Sequence, residues 1–306
     1  MIGSSGLRKT LKSNFMSKTS TFTKVFMAGS GFMGRAIAFL IASKTSCQVE
    51  LYDVSDDALK LAMAEIDKYG EKSVSKGFLT QEAFDDAKGR IHCGKDLQAA
   101  AGCDLVIEAI KEDLEIKRQL FGKLDEICPA NTVFASNTSS LPITSLASAT
   151  KRSSQFIGMH FFSPAHVMKL VEIIPGFDTS EETLNRVRAF GEEMGKTIIK
   201  SLDFPGFITT RLGMVLINEA AFALMEGLST PEDIDTGMTL GYNHPMGPLT
   251  LADFIGLDVV LHIMETMQSG FGDTKYRPCP LLRQLVSAGH LGRKTGKGFY
   301  NYGGKG

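Results

Sequence analysis

Short apolar runs alternate with stretches of helical periodicity between residues 25 and 202. The runs that we predict to be strands are 25–28, 49–52, 90–92, 105–108, 133–135, 156–162, 168–173 and 197–200. Strands that alternate with helices in this way are typical of a parallel sheet with helices on both faces. We therefore expect a doubly wound α/β sheet of the Rossmann type, with more strands than a minimal nucleotide-binding fold.

Two charged helical stretches lie between Asp56 and Ala87, where a single crossover helix would be enough to connect neighbouring parallel strands. Gly70 and Gly77 interrupt the helical pattern, and we interpret both as breaks between helices. The sequence therefore predicts a helical hairpin inserted into the sheet domain.

The hydrophobic pattern changes at Asp203-Phe204-Pro205-Gly206, beyond which the chain is typical of helices and loops. Residues 207–228 are apolar on nearly every side, but charged residues make this stretch too polar to span a bilayer. Residues 229–233 supply an N-cap, a proline in the first turn and acidic residues, which together favour the start of a helix. We predict one further helix, apolar on several faces, at residues 249–267.

These changes divide the chain into three parts. We expect a disordered tail at residues 1–23, a Rossmann-type domain at residues 24–203 and an all-α domain at residues 204–306. A helical domain of this size cannot easily cover two helices that are apolar on several faces. We therefore expect a homodimer formed through the all-α domain, and the alternative is that these helices cover only each other.

The composition is that of an ordinary globular protein. The chain has 306 residues, of which 43% are apolar, and a net charge of −1. This length is enough for about two hydrophobic cores. Because no basic face is predicted, we expect neither nucleic acid nor a membrane surface as a partner.

The five cysteines are odd in number and scattered, without the CxxC or histidine spacing of a zinc site. We therefore expect no bound metal, no disulfide framework and a reducing compartment. Residues 1–23 have no acidic residue and no apolar segment, unlike a secretory signal. We expect a cytoplasmic protein, with the mitochondrial matrix as an alternative location and Met16 as an alternative start.

A glycine motif follows the first predicted strand directly. Its six residues are Gly29, Ser30, Gly31, Phe32, Met33 and Gly34. The first glycine permits a tight turn, the second lets the backbone approach a phosphate, and the third lets the helix pack closely on the strand. Because the free N–H groups of that helix point at the bound anion, we expect the loop to hold the pyrophosphate of a dinucleotide.

Asp53 ends the second predicted strand, nineteen residues beyond Gly34. A carboxylate at this point accepts hydrogen bonds from the ribose hydroxyls and repels a 2′-phosphate, which predicts NAD rather than NADP as the cofactor. The alternative is an ordinary glycine turn. The strand, the helix and the acidic residue together favour the dinucleotide.

His160 is the best candidate for a general base. It lies in an otherwise apolar predicted strand, and Glu172 lies in the next strand. If the two strands fold back around a loop centred near His166, the histidine and the glutamate lie opposite each other, about 5 Å apart at Cβ. A carboxylate beside an imidazole fixes its tautomer and stabilises the imidazolium. The alternative is a structural pair that satisfies two polar groups within an apolar sheet.

A polar segment, Ser136-Asn137-Thr138-Ser139-Ser140, follows the predicted strand at 133–135. The ligand crevice of an open α/β sheet lies at the carboxyl ends of its strands. We therefore expect hydroxyl groups of this segment to hold a substrate oxygen, although a helix cap or a turn is an alternative for most of the five residues.

From Val25 to Tyr302 the chain resembles the NAD-dependent 3-hydroxyacyl-CoA dehydrogenases, and above all the single-function bacterial enzymes that act on 3-hydroxybutyryl-CoA. The segments that carry the resemblance are GSGFMG, IEAI at 107–110, SNTSSLPIT from Ser136, GMHFFSP around His160, MKLVEII, DFPGFI, NHPMGPL around His244, and KTGKGFY. The resemblance implies a Rossmann-type domain followed by a helical domain. Because the sequence stops shortly after KTGKGFY, we expect no fused hydratase.

The resemblance also implies roles for individual residues. The histidine matching His160 removes the proton of the 3-hydroxyl group, the glutamate matching Glu172 stabilises the imidazolium, and the serine matching Ser139 binds the substrate oxygen near the nicotinamide. Other matching positions contact the cofactor or the CoA phosphate: Glu112, Lys117 and Lys294 for NAD, and Lys76 for CoA. For each lysine, a solvated surface charge is the alternative.

Two positions depart from the family pattern. Thr210 replaces an asparagine near the active site, so we expect a weaker or rearranged contact to the substrate oxygen. Ser163 replaces an asparagine that contacts NAD. These changes affect the expected turnover and acyl preference more than the reaction class.

Two further functions remain open at this point. One is a dehydrogenase that oxidises a small hydroxy acid without CoA, against which the lysine-bearing hairpin argues. The other is a non-catalytic NAD-binding protein, for which Thr210 is the best support. The presence of His160, Glu172 and Ser139 together favours a dehydrogenase.

Overall fold

The computed structural model describes residues 21–303, in which eight strands form one sheet. The strands are β1 Lys24–Ala28, β2 Gln48–Tyr52, β3 Ile91–Gly94, β4 Leu105–Glu108, β5 Val133–Ser136, β6 Phe156–Phe161, β7 Leu170–Pro175 and β8 Thr197–Lys200. Their order is β3-β2-β1-β4-β5-β6-β7-β8. Neighbours from β3 to β6 are parallel, β7 is antiparallel to β6, and β8 is parallel to β7. The predicted Rossmann-type sheet with extra strands is confirmed.

Helices cover both faces of this sheet. They are α1 Phe32–Lys44, α2 Asp56–Ser75, α3 Gln81–Gly89, α4 Leu114–Ile127, α5 Ile143–Ala147 and α6 Glu181–Glu193. One buried core joins the sheet to α1, α2, α3 and α6, and a second core joins the opposite face to α4 and α5. Chain order reverses between β1 and β4, and ligands of open α/β sheets bind at such a reversal.

The remaining chain forms helices around a third core. These are α7 Thr209–Met225, α8 Pro231–Thr236, α9 Pro248–Ile255, α10 Leu257–Phe271 and α11 Pro280–Ser287. The start of α8 is formed as predicted, since Thr230 Oγ1 accepts a hydrogen bond from the N–H of Asp233 and Pro231 occupies the first turn. Among the helices of residues 21–303, none combines the length and apolar character that a bilayer span needs.

The predicted helix at 249–267 is wrong in one respect, because it is two helices that meet at Gly256. This glycine has φ +104°, a backbone conformation that side chains rarely adopt, and it ends α9 and begins α10. Hydrophobic periodicity continues across the break, which is why the sequence pattern did not reveal it.

Gly70 is not a break between helices, contrary to the prediction. It lies within α2, where a Cβ would come within 2.0 Å of Phe84 in α3. Its missing side chain therefore lets the two helices of the predicted hairpin pack closely. The turn of the hairpin contains Gly77, whose φ of +72° fits the predicted break.

Several strand boundaries differ from those predicted by one or two residues, and the starts of the third and seventh strands show why. The third strand begins after Arg90, because the N–H of Arg90 still bonds to Ala87 at the end of α3. The seventh strand begins at Leu170 rather than at Met168. Met168 belongs to the preceding turn, where its N–H donates to the carbonyl of Pro164.

Residues 1–20 of the predicted disordered tail lie outside the described residues, as do 304–306 of the predicted all-α domain. Packing begins before residue 24, however. Phe22 is completely buried, and its ring meets that of Phe190 edge-on at 5.2 Å between centroids. This buried ring and the hydrogen bonds that Thr21 and Thr23 donate to Glu193 and Asp104 hold the short segment on the sheet domain.

Candidate active site

The glycine motif forms a tight turn between β1 and α1. Gly29 has φ +99°, and its N–H donates to Tyr52 at the end of β2. A Cβ on Gly34 would lie 1.8 Å from the carbonyl oxygen of Gly29, so only glycine permits this approach of helix to strand. A Cβ on Gly31 would meet no atom within 4 Å. The space in front of Gly31 and the first N–H groups of α1 therefore fits a phosphate group.

Asp53 lies directly beyond β2 and beside this turn. Its Oδ2 accepts hydrogen bonds from the N–H and the hydroxyl of Ser30, both at 2.9 Å. Ser30 is buried, whereas Asp53 is half-buried and lines a cleft together with Gly31 and Ile110. The aspartate therefore fixes the glycine loop through Ser30 and also faces the crevice. The sequence predicted that it faces the crevice but not that it contacts the loop.

His160 and Glu172 lie opposite each other in the antiparallel pair β6–β7, in the register expected from the sequence. His160 Nδ1 lies 3.2 Å from Glu172 Oε2, and the two residues are 6% and 0% exposed. When Nδ1 carries a proton and donates it to the carboxylate, Nε2 is left as a proton acceptor. Phe162 and Phe207 lie against the imidazole, with ring centroids 4.7 Å and 6.1 Å away.

Glu172 also accepts hydrogen bonds from the start of α7. The N–H of Ile208 donates to Oε1 at 2.8 Å, and the hydroxyl of Thr209 donates to Oε2 at 2.9 Å. Burial acts to raise the pKa of Glu172, but the hydrogen bonds from His160, Ile208 and Thr209 outweigh burial and hold the pKa below its usual value. The carboxylate is therefore ionised at neutral pH and is suited to stabilise an imidazolium.

A buried ionic cluster lies at the end of β4. Lys117 Nζ is 2.7 Å from Glu108 Oε1 and 2.9 Å from Glu112 Oε2. Ser136 and the N–H of Ile110 donate two further hydrogen bonds to Glu108. Burial raises the pKa of Glu108. Burial also acts against the charged forms of Glu112 and Lys117. The charge of Lys117 and the hydrogen bond from Thr138 nevertheless lower the pKa of Glu112, and the charges of Glu108 and Glu112 raise the pKa of Lys117.

This cluster fixes the polar segment beyond β5. Glu112 Oε1 accepts hydrogen bonds from the N–H of Ser139, at 3.1 Å, and from the hydroxyl of Thr138. Asn137 accepts a hydrogen bond of 2.8 Å from the N–H of Phe161, the neighbour of His160 in β6. The segment is thereby held next to the strand that carries the candidate base.

A cleft opens between the carboxyl ends of the strands and helix α10. Its lining includes Met33, Glu112, Lys117, Asn137, Ser139 and Ser140 from the sheet domain, and Asp258 and His262 from α10. Ser140 is 1% exposed, and its hydroxyl has no hydrogen-bond partner among the described residues. Because a buried hydroxyl without a partner is rare, this orphaned group fits a polar ligand in the cleft, as the open space at Gly31 fits a phosphate.

The remaining predicted site residues are not all close to this cleft. Lys294 pairs with Asp258 through contacts of 2.6 and 2.7 Å, so it borders the cleft through that aspartate. Ser163 is exposed just beyond β6. Thr210 is half-buried in the first turn of α7, but the contact to Glu172 is made by its neighbour Thr209. Lys76 lies elsewhere, beside a pocket at the end of α2.

Sequence reasoning gave no role to three residues that organise the site. Glu108 is an acid within an apolar run, and this was the signal that could have identified it. Asn137 was noticed only as part of a polar segment. Thr209 gave no signal at all, because nothing in the local sequence relates it to Glu172. Within the described residues, no group of three or more His, Cys, Asp or Glu side chains is arranged to hold a metal ion.

Two family models match consecutive parts of the chain. Residues 24–204 match the NAD-binding domain of 3-hydroxyacyl-CoA dehydrogenase, and residues 206–302 match the C-terminal domain of the same enzyme. Together the two models cover most of the sequence, and they meet at Pro205.

Individual relatives agree with these models. A probable 3-hydroxybutyryl-CoA dehydrogenase of Bacillus subtilis is 49% identical over 279 residues, which are 91% of this chain and 97% of the relative. The mitochondrial hydroxyacyl-coenzyme A dehydrogenase of Homo sapiens is 39% identical, with 91% and 90% covered. The crystal structure of (S)-3-hydroxybutyryl-CoA dehydrogenase from Ralstonia eutropha superposes with a TM-score of 0.89 at 43% identity, covering 92% of this chain and all of that one. The chain therefore belongs to the 3-hydroxyacyl-CoA dehydrogenase family, whose cofactor is NAD.

Proposed function

We propose that the protein interconverts L-3-hydroxyacyl-CoA and 3-oxoacyl-CoA, and that its preferred pair is 3-hydroxybutyryl-CoA and acetoacetyl-CoA. The observation that carries this proposal is the buried His160–Glu172 pair, 3.2 Å apart, at the end of a strand in the sheet that bears the glycine motif. The names of the bacterial relatives support the short acyl chain.

His160 acts as the general base in the direction of oxidation. When bound, NAD supplies the acceptor for the hydride that leaves C3 of the substrate. As the C3–H bond breaks, Nε2 of His160 accepts the proton of the 3-hydroxyl group, and the carbonyl forms. The Nδ1–H group donates to Glu172 throughout, and this ionised carboxylate stabilises the imidazolium. In the reverse direction, His160 returns the proton to the substrate oxygen.

Hydroxyl groups of the cleft orient the substrate oxygen. We assign this role to Ser139, whose backbone is fixed by Glu112, with Thr210 in the first turn of α7 as a second hydroxyl near the reacting carbon. The unpaired hydroxyl of Ser140 supports a polar ligand at this point. These residues position the substrate for His160 and carry no proton themselves.

The crevice from the glycine motif to the cleft would hold NAD. The loop from Gly29 to Gly34 would hold the pyrophosphate, and Asp53 would hold the adenosine ribose. The residues that we assign to the nicotinamide end are Glu112, Lys117, Ser139, Ser163 and Lys294. Among these, Lys117 is 1% exposed and paired with Glu108 and Glu112, so its contribution is to fix Glu112 at the cleft wall.

The CoA portion lies at the helical hairpin. Lys44, Lys72 and Lys76 border one pocket, whose floor contains the rings of Phe39 and Tyr69. Three flexible ammonium groups around an aromatic surface suit the phosphates and the adenine ring of CoA. This arrangement favours a thioester of CoA over a free hydroxy acid.

The helical part at residues 204–306 mediates a homodimer in our proposal, and residues 24–203 form the NAD-binding domain. Several large apolar side chains of the helical part are exposed. The most exposed are Leu240 at 81%, Leu228 at 77%, Tyr242 at 74% and Leu212 at 67%. A second copy of the chain would remove such groups from water. For the cellular location we propose the cytoplasm.

One assay tests the proposed function. NADH oxidation is followed with acetoacetyl-CoA and, separately, with free acetoacetate. Oxidation with the thioester alone is expected. Activity with the free acid alone would replace the proposal by a hydroxy-acid dehydrogenase, and the absence of activity with both substrates, despite NADH binding, would leave a non-catalytic NAD-binding protein.

A further inference from the structure

We propose that Thr209 is a positioning residue for the catalytic base, acting through Glu172. Its hydroxyl fixes the carboxylate against His160 and thereby sets the tautomer and the protonation of the imidazole. The inference rests on the proposed function, because it takes His160 as the base. Thr209 is the first residue of α7, whereas His160 and Glu172 belong to the sheet, so the helical part of the chain completes the base.

The carboxylate of Glu172 is bound at both oxygens by α7. Oε1 accepts from the N–H of Ile208 at 2.8 Å, and Oε2 accepts from Thr209 at 2.9 Å. Oε2 is also the oxygen that faces His160 Nδ1 at 3.2 Å. The hydroxyl and the imidazole therefore share one oxygen atom. Rotation of the carboxylate would break both bonds from α7, so its plane is fixed relative to the imidazole.

The start of α7 is shaped to make these two contacts. Phe207 has φ +51°, in the left-handed region that residues other than glycine seldom adopt, and it is 3% exposed beside the imidazole. Ile208, the residue that precedes the helix, provides no side-chain cap. Glu172 takes the place of a cap, because it accepts an N–H group there, and its negative charge is stabilised by the positive end of the helix dipole.

The shared oxygen gives Thr209 an influence on protonation. In the described part of the chain, Glu172 is the ionisable group that hydrogen-bonds His160, and the rings of Phe162 and Phe207 cover the imidazole. A hydroxyl donor withdraws part of the negative charge of Oε2. Without that donor, the carboxylate would stabilise the imidazolium more strongly, and less neutral base would be present at a given pH.

Thr210 cannot replace Thr209 in this role. Successive residues of a helix point in directions about 100° apart, so only one of the two threonines faces Glu172. The structure assigns that contact to Thr209.

The test compares Thr209→Val, which keeps the shape and removes the hydroxyl, with Thr209→Ser, which keeps the hydroxyl. Thr209→Ala serves the same purpose as the valine variant if the latter does not fold. Thr197→Val is the matched control, because Thr197 is exposed in β8. The parameters kcat and KM for 3-hydroxybutyryl-CoA are measured from about pH 6 to about pH 9, a range that brackets the titration of a histidine base.

We expect Thr209→Val to lower kcat/KM at neutral pH by about 3- to 10-fold, the scale of one ordinary hydrogen bond. The loss falls on kcat. The acidic limb of the profile should move to higher pH, because the carboxylate without its hydroxyl donor stabilises the protonated imidazole more strongly. Thr209→Ser and Thr197→Val should follow the wild-type profile. The proposal would be overturned if the serine and valine variants lost equal kcat/KM, or if Thr209→Val lost kcat/KM without any movement of the acidic limb of its pH profile. Either result would show that Thr209 has only a structural role.

A second readout does not depend on the substrate. Nitrogen NMR of ring-labelled histidine reports the tautomer of His160, whose signals are identified by their absence in His160→Gln. Thr209→Val should change the Nδ1 signal, whereas Thr209→Ser should preserve it, and an unchanged signal in the valine variant would also overturn the proposal. If the wild-type protein is inactive with acyl-CoA but Thr209→Val still changes the Nδ1 signal, the proposed function is refuted. The contact between Thr209 and Glu172 is then still supported.

Discussion

Lys117 Nζ lies 2.7 Å from Glu108 Oε1, and the two side chains are 1% and 0% exposed. Lys117 also contacts Glu112, the residue that holds the backbone of Ser139. One buried cation therefore connects the end of β4, helix α4 and the segment that lines the cleft. A charge pair this deeply buried is costly to disturb, because removing one partner leaves the other in a medium that cannot solvate it.

We predict that Lys117→Met lowers the free energy of unfolding by about 3 to 5 kcal/mol, the usual cost of leaving a buried charge without its partner. Urea denaturation at neutral pH measures this change. The double variant Glu108→Leu/Lys117→Met should recover part of the loss. As a control, Lys95→Met removes an exposed pair with Asp56, and it should cost less than about 1 kcal/mol. Equal effects of the two single lysine variants would contradict this account.

Two alanine variants of the glycine motif should separate binding from folding. Gly31→Ala places its methyl group in open space, so we expect wild-type thermal stability but an NAD dissociation constant raised by about tenfold or more. Gly34→Ala forces a methyl group to within 1.8 Å of the carbonyl oxygen of Gly29. It should lower the free energy of unfolding by about 1 to 3 kcal/mol or more, as overpacking does. NADH fluorescence titration and thermal unfolding measure the two effects, and normal NAD binding by Gly31→Ala would exclude the phosphate at this position.

The variant His160→Ala should reduce turnover by at least about 10²-fold, the scale of a positioned general base. NAD affinity should be unchanged, because the glycine loop and Asp53 are remote from the imidazole in the sheet. Steady-state kinetics and NADH titration measure the two quantities. His92→Ala is the matched control, since His92 is exposed in β3, and it should leave both unchanged. Wild-type turnover in the His160 variant would reject the assigned role.

The depressed pKa of Glu172 predicts how stability depends on pH. Because this pKa is lower in the folded protein than its ordinary value of 4.5, the ionised carboxylate contributes stability above that value. The contribution is lost as the pH falls through the folded-state pKa. Glu172→Gln should therefore be less stable than the wild type at neutral pH and should lose less stability between neutral pH and about pH 4, because below the ordinary pKa of 4.5 the carboxyl group takes up a proton in the unfolded chain before it does in the folded protein. Urea denaturation at the two pH values tests this, and identical losses in both proteins would contradict the assignment.

Much of the site could be predicted because it depends on short-range geometry. The glycine turn could be recognised within six residues, because its three glycines follow a strand at a fixed spacing. The pairing of His160 with Glu172 follows from a hairpin, in which the position of the turn fixes every opposed pair. The start of α8 is likewise a local matter, because a cap and a proline act within one turn.

Several errors arose where the local pattern shows neither what a residue contacts nor which backbone conformation it adopts. In the sequence Gly70 resembles a helix break, but in the structure it makes room for Phe84. Gly256 resembles an ordinary helix position, but its backbone has a positive φ that ends one helix and begins the next. Phe22 looks like part of a polar tail, yet its ring packs against Phe190. In each case the local pattern is ambiguous and tertiary packing decides.

By itself, the sequence determined the sheet, the glycine cradle, the NAD preference and the pairing of the candidate base with its acid, because these depend on periodicity, on turns and on the lengths of connections. Only the tertiary structure decided that Glu108 and Lys117 form a buried ion pair beside the cleft and that Thr209 donates a hydrogen bond to Glu172, the partner of the candidate base. The physical reason is that a buried charged group forms hydrogen bonds with whichever element packs against it. Which element that is depends on the complete fold and not on the local sequence.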